Sequence, residues 1–434
     1  MSAIASRTRP WRRARPATAL IATQIAAIVV LGAVTALRFH IFAAVDELAH
    51  VSFVQEVAEH ATLPWEGRSF VSWQMEAIEN DVYPRHSTVN PQLIGPAGYS
   101  YEGFQPPLYY LLAVPAFAIP VNYRDKVIAV RLFDLVLVLA AAALLALLAR
   151  AVSAEHWQPV YAVALAVLLW PGVIVRAITV SNAALELPIT LLYVLCVWRA
   201  AERRDPRLVL AAGALLGLCL LTALTLIFLV PLLAVALFAL LAPLVLLAPW
   251  LISNEVRYGA LTAGAVAKTL LAPLVNPTGE HFGLGAVIAR LWRFDRALLP
   301  QEWWSQYAKG GLDLLLWLLP AALLGGLLAL AALRPALLRS RAAALLAAPL
   351  PLGILALAGI VIVEDWPSFL PRYVNPAIVL LALFLAWAWL AADRAPRVLV
   401  AGAAVASALT AFVWVYMAAA FYFTHIGASL GIHA

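Results

Sequence analysis

The sequence predicts an all-α, polytopic membrane protein with about 10–12 transmembrane helices in a single domain over residues 1–434. Three observations predict it. Hydrophobic residues make up 64% and charged residues 12%, where soluble domains carry roughly 45–50% and 25%. Mean hydropathy is +0.91. Apolar runs of about twenty residues recur, the length a ~30 Å hydrocarbon core requires. A soluble globule cannot hide that much apolar surface, and a disordered chain has the opposite composition. The net charge of +6 is scattered without a basic stripe, which argues against nucleic-acid binding. Cys196 and Cys219 are the only cysteines and lie in apolar runs, so a disulfide scaffold or Cys-based zinc site is not expected. The excess of Arg and Ala over Lys suggests a GC-rich, bacterial origin.

The basic segment Arg7–Arg15 predicts a cytoplasmic N-terminus and an uncleaved first helix over Ala17–Phe39. Residues 40–105 form the first extracytoplasmic loop. It holds nine acids against two fixed bases, Arg68 and Arg85, which suits the outer side. Pro106 and Pro107 open a second span reaching about Pro120, since proline is tolerated in a first helical turn. Arg124, Lys126 and Arg131 then read as a cytoplasmic return. Apolar segments follow at about 132–150, 157–178 and 182–198, then a basic linker at 201–207. Both basic linkers read as cytoplasmic, yet three apolar segments separate them. One linker must be misplaced, or one segment is not a full crossing. An apolar block at 208–253 reads as one long helix, or as shorter ones broken near Pro231 and Pro243. A second large extracytoplasmic loop covers about 254–310. Spans follow near 311–333, 344–363, 374–391 and 398–423, with basic, cytoplasmic linkers at 334–341 and 392–397. No repeat of 20–50 residues is visible, and neither is a matched pair of broken spans.

Two constellations carry chemistry. Asp46, Glu47 and His50 stand just after the first span and would share one side of a helix. Two carboxylates beside an imidazole suit a general base, a metal ligand or a hydrogen-bond orienter. The plain alternative is a solvated acidic start to an interfacial helix. The spacing is neither the zincin pattern nor a di-iron pair, which needs two E-x-x-H motifs. The second constellation is Glu102-Gly103-Phe104-Gln105-Pro106-Pro107-Leu108-Tyr109-Tyr110, a rigid helix start with interfacial tyrosines.

In this order the motifs resemble the GT-C superfamily of membrane glycosyltransferases, which take sugars from polyprenyl-phosphate carriers. Within it they are similar to a bacterial membrane-protein family with a D-E-x-x-H signature. Asp46-Glu47-x-x-His50 looks like its first-loop motif, and Gln105 through Tyr110 like its second-helix start. Trp250 through Gly259 is similar to its Trp…Tyr-Gly stretch. Pro371-Arg372-Tyr373-Val374-Asn375-Pro376 is similar to its late Arg-Tyr…Pro motif. The resemblance implies a catalytic carboxylate in the first loop, Asp46 with Glu47 second. It also implies substrate contacts from His50, Gln105, Tyr109, Asn182, Glu186, Arg257, Arg372 and Tyr373. The donor would be a polyprenyl-phosphate-linked sugar and the acceptor a hydroxyl of a cell-envelope glycan, lipid or protein. A direct displacement would invert the anomeric centre. The chain departs from the family at Ala183, where an Asp often follows Asn182. Glu186 lies one turn on and is the substitute. That departure weakens the expectation of a divalent metal, and no tightly bound cofactor is expected.

An anionic phosphate leaving group needs cations. The 254–310 loop holds six bases against four acids, and arginine forks suit phosphate oxygens. Lipid headgroups or neighbouring acids are the plainer partners. Trp292, Trp303 and Trp304 suit stacking on sugar or prenyl chain, or ordinary interfacial anchoring. The rival readings are a transporter or flippase of a lipid-linked or anionic substrate, and a non-catalytic scaffold. A transporter would need charged groups deep in spans, for which Asp134 and Glu186 are the candidates.

Overall fold

A computed structural model describes residues 15–39, 41, 42, 44, 46–65, 68–82, 102–233, 241–262, 281, 283, 285, 312–363 and 374–429. The chain is an all-α, multi-pass membrane protein. Its helices are α1 (Arg15–Arg38), α2 (Glu47–His60), α3 (Trp73–Val82), α4 (Leu108–Phe117) and α5 (Tyr123–Val152). Next come α6 (Trp157–Leu168), α7 (Pro171–Ile174), α8 (Ala183–Arg203) and α9 (Pro206–Thr222). A 3-10 segment, Leu224–Leu233, precedes α10 (Leu241–Tyr258), and the chain closes with α11 (Leu312–Leu333), α12 (Pro349–Val363), α13 (Asn375–Ala391) and α14 (Pro396–Ser429). Among the described residues, four helices are long and apolar enough to cross a membrane: Pro16–Arg38, Tyr123–Val152, Ala183–Arg203 and Pro396–Val415. Shorter apolar helices of 10–17 residues pack among them.

Local chemistry sets the helix starts. Asn122 caps α5 by accepting the Asp125 N–H at 2.9 Å, and Asp205 caps α9 by accepting the Arg207 N–H at 2.9 Å, each satisfying a donor without an intrahelical partner. Gly259 ends α10 with φ +65, a left-handed cap that glycine takes without penalty. The outward faces are apolar rather than polar. Val30 and Val34 on α1, Val136 on α5, and Val245 and Ile252 on α10 are all exposed. Such faces suit lipid, where a surface helix of a soluble protein would present charge.

Side-chain contacts fix each helix direction. Gln158 Nε2 donates to Thr18 Oγ1 at 3.3 Å, and Gln24 Nε2 donates to the Ala162 carbonyl at 2.9 Å. α1 and α6 therefore run parallel. The chain after α6 reaches the other end of α1, where the Val180 N–H meets Glu47. α5 starts at that same end, because Arg131 contacts the Phe39 carbonyl. It finishes where α6 begins, with the Arg150 guanidinium 4.2 Å from the Trp157 ring. α8 then descends to Trp198, which lies 4.7 Å beneath Arg341. α9 returns Thr222 to Asn182.

Two expectations are corrected by this path. The stretch 106–120 is not a crossing. Its helix α4 has ten residues, about 15 Å at 1.5 Å each, half of the ~30 Å core. Pro115 and Pro120 limit it, and it packs on α2 and α5. The Arg124–Arg131 linker consequently lies at the Asp46 end, where Lys126 pairs with Glu59 at 3.9 Å and Tyr123 donates to Glu59 at 2.9 Å. α5, the stretch from Trp157 through α6 and α7 to Val180, and α8 then join opposite faces without conflict. The 201–207, 334–341 and 392–397 linkers lie toward the start of α1. The block 208–253 resolves into α9, the 3-10 segment and the first part of α10.

Close helix approach depends on one glycine in particular. A Cβ on Gly217 of α9 would meet the Pro243 Cα at 2.9 Å, a backbone atom that moves only with α10. Gly217→Ala is expected to lower stability by roughly 1–3 kcal/mol through overpacking, read as a lower thermal midpoint, while Gly325→Ala, with nothing within 4 Å, raises it by up to about 1 kcal/mol through helix propensity. In a protein with Cys196 and Cys219 replaced by Ala, cysteines at His60 and Arg124 should label from one face of the membrane. A cysteine at Arg203 should label from the other.

Candidate active site

α1 ends at Arg38 and α2 begins at Glu47, so a short connection joins them. Phe42 (φ 64) and Asp46 (φ 66) both take left-handed backbone, which is uncommon for residues with a Cβ and tolerated best by Asp and Asn. Asp46 is the N-cap residue of α2 and its side chain makes no cap hydrogen bond. Its carbonyl accepts the His50 N–H at 3.0 Å. The half-buried carboxylate is thus presented just outside the helix, on a strained turn of the kind that clusters at functional sites.

Glu47 is fully buried. Its Oε1 accepts from Arg131 Nε at 2.7 Å and from the Val180 N–H at 3.1 Å. Its Oε2 accepts from Arg131 Nη2 at 2.6 Å and from the Phe42 N–H at 2.9 Å. Arg131, itself 0% exposed, also donates Nη1 to the Phe39 carbonyl at 2.7 Å. This is a forked, charge-assisted pair. Four donors engage the Glu47 oxygens, which leaves this carboxylate poorly placed to take a proton from substrate.

His50, one turn on, faces α4: its Nδ1 lies 2.7 Å from the Tyr110 hydroxyl. Tyr110 stacks on Phe53 with ring centroids 3.7 Å apart. Tyr109 turns to α5 and donates to both Asp134 oxygens, at 2.9 and 3.1 Å. Successive residues of α4 point about 100° apart at 3.6 residues per turn, which is why adjacent tyrosines find different partners. Asn182 is the N-cap residue of α8 but makes no side-chain cap hydrogen bond. Its Nδ2 donates instead to Gln105 Oε1 at 3.1 Å and to the Thr222 carbonyl at 3.3 Å. Glu186, 2% exposed, lies on the first turn of α8. Glu102 is likewise buried, on the turn that leads into α4.

The structure therefore brings Asp46, Glu47, His50, Gln105, Tyr109, Asn182 and Glu186 to one end of the bundle. Arg257 is placed elsewhere. It sits beside the loop after α2, donating to the Leu63 and Pro64 carbonyls at 3.2 and 3.4 Å, with its guanidinium 5.5 Å from the Trp65 ring. Arg372, Tyr373, most of the 254–310 loop and its three tryptophans lie outside the described residues. Sequence reasoning missed Arg131, read as a loop cation, and gave no site role to Glu102. The available signal was the pair Arg131 and Asp134, one turn apart in an otherwise apolar helix, since such charges are costly in a membrane. Among the described residues no three His, Cys, Asp or Glu side chains come together to hold a metal ion.

No protein-family model matches this chain, and no curated protein does. Among solved structures, the chain is similar to the crystal structure of ArnT from Cupriavidus metallidurans bound to undecaprenyl phosphate. That likeness has 18% identity and a TM-score of 0.40, over 87% of this chain and 61% of that one. The chain thus spans under two thirds of that protein's length.

Tyr109→Phe removes the donor shared by both Asp134 oxygens. It is expected to cost about 1–3 kcal/mol, the penalty for a buried polar group left unsatisfied, measured as a fall in thermal midpoint.

Proposed function

We propose that this protein is a GT-C-type membrane glycosyltransferase. It moves a sugar from a polyprenyl-phosphate donor to a cell-envelope hydroxyl, with Asp46 as general base. The observation that carries this reading is the division of labour between two adjacent carboxylates. Glu47 is consumed by Arg131 and two backbone amides, while Asp46 stands half-buried on a left-handed cap beside the His50–Tyr110 pair. The order of the sequence motifs supports the same reading.

In the reaction, the Asp46 carboxylate takes the proton of the acceptor hydroxyl. The acceptor oxygen attacks the anomeric carbon from the face opposite the phosphate. The bond from that carbon to the phosphate oxygen breaks, and the lipid phosphate leaves with the electron pair. Asp46 then releases its proton to water, and the product has the inverted configuration. Asn182 and Gln105, joined to each other, border the site as hydrogen-bonding groups for sugar or acceptor. Arg372 remains the proposed cation for the phosphate. The three basic linkers toward the start of α1 support a cytoplasmic N-terminus by the positive-inside rule. That orientation sets Asp46 on the extracytoplasmic side of the cytoplasmic membrane.

The test is glycosyl transfer by purified protein in lipid from a panel of polyprenyl-phosphate sugars. Wild-type protein is expected to form a new glycosidic bond of inverted configuration. Asp46→Asn is expected to lower the rate by about 10²–10⁴-fold, the usual contribution of a positioned base. Wild-type rates from Asp46→Asn would move the base elsewhere, and carrier crossing the bilayer without a covalent product would establish a transporter.

A further inference from the structure

We infer that Arg131 is the positioning residue for Asp46, holding the turn that presents its carboxylate; this rests on the glycosyltransferase reading above. Among the described residues between Phe39 and Glu47, Phe42 and Asp46 are left-handed, a backbone that persists only when its surroundings hold it. A single guanidinium spans the turn. Arg131 Nη1 holds the Phe39 carbonyl at its start, and Nε and Nη2 hold Glu47 at its end. Glu47 passes the constraint on, fixing the Phe42 N–H within the turn and the Val180 N–H two residues before Asn182. The segments that carry Asp46 and Asn182, far apart in sequence, are thereby tied together through Glu47 and one side chain of α5. Arg131 is 0% exposed and reaches no solvent for a substrate to meet, so it acts through Asp46 rather than on the reacting atoms. The fork is specific to arginine. Lysine keeps the charge but offers one point donor in place of the planar set that meets both Glu47 oxygens and Phe39.

The experiment compares Arg131→Lys and the neutral pair Glu47→Gln/Arg131→Gln with wild-type protein in lipid. It reads kcat and KM for a polyprenyl-phosphate sugar, thermal midpoint, and amide hydrogen exchange of the peptides carrying Phe42 and Val180. Removing both charges together avoids stranding either one unpaired, the strongly destabilising case, so the double variant separates folding from positioning. Both variants are expected to lose about 100-fold in kcat, the effect of a displacement near 1 Å at a reacting group. KM is expected to stay unchanged, and the two peptides to exchange faster. Wild-type kcat in the double variant would overturn the inference and make the pair a matter of stability alone. Unchanged exchange at both peptides would overturn it as well. Should wild-type protein transfer no sugar, the glycosyltransferase reading fails, and exchange alone then judges the clamp: faster exchange confined to those peptides supports it, and unchanged exchange overturns it.

Discussion

An arginine and a glutamate with no exposed surface form the constraint on which the rest of this structure depends. Taking two charges out of water is costly, and in a membrane bundle no water is at hand to relieve a poor fit. The pair survives because it is geometrically complete: a planar fork on a carboxylate, with two backbone amides and one carbonyl filling the remaining directions. Such an arrangement admits one register. It fixes how far α5 reaches along α1, where α2 begins, and where the chain before α8 must pass.

Polarity is segregated as a consequence. The Asp46 end of the bundle gathers carboxylates, tyrosines, an imidazole and two amides from four stretches of chain. The remainder packs through apolar contacts and small residues, with Gly32 of α1 so close to Leu135 and Ile178 that a Cβ there would lie 2.4 and 2.9 Å from them. Below the site, single polar pins join the helices, such as Gln24 to Ala162 and Ser407 and Trp414 to the Leu169 carbonyl at 3.3 Å. An isolated neutral hydrogen bond in an apolar bundle orients its helices without the desolvation cost of charge.

Much of the helical layout is legible in the sequence, because lipid thickness imposes a length that composition reveals. The predicted spans at 17–39, 132–150, 182–198 and 374–391 all correspond to helices. The stretch 106–120 misleads because its composition is that of a span. Only the prolines, and the partners found by Tyr109 and Tyr110, show that it stops halfway. Lys126 misleads for a related reason. Loop cations are a statistical guide to sidedness, and this one serves a local pair with Glu59. In the candidate site, motif order points to Asp46, His50, Gln105, Tyr109 and Asn182, which the fold gathers at one end of the bundle. The contrast between Asp46 and Glu47 was not legible in the sequence, since it arises from who else arrives at Glu47.

The sequence by itself determined that this chain lives in a membrane, that its helices are long and apolar, and that its polar chemistry starts just after the first of them. These follow from hydrophobic length and from the placement of charge along the chain, both local properties. Only the tertiary structure decided that Glu47 is spent on architecture, that α4 does not cross, and that Arg131 ties α5 to the start of α2. Those outcomes depend on contacts between residues 84 and 133 positions apart, and no local rule of composition or periodicity carries information over that distance.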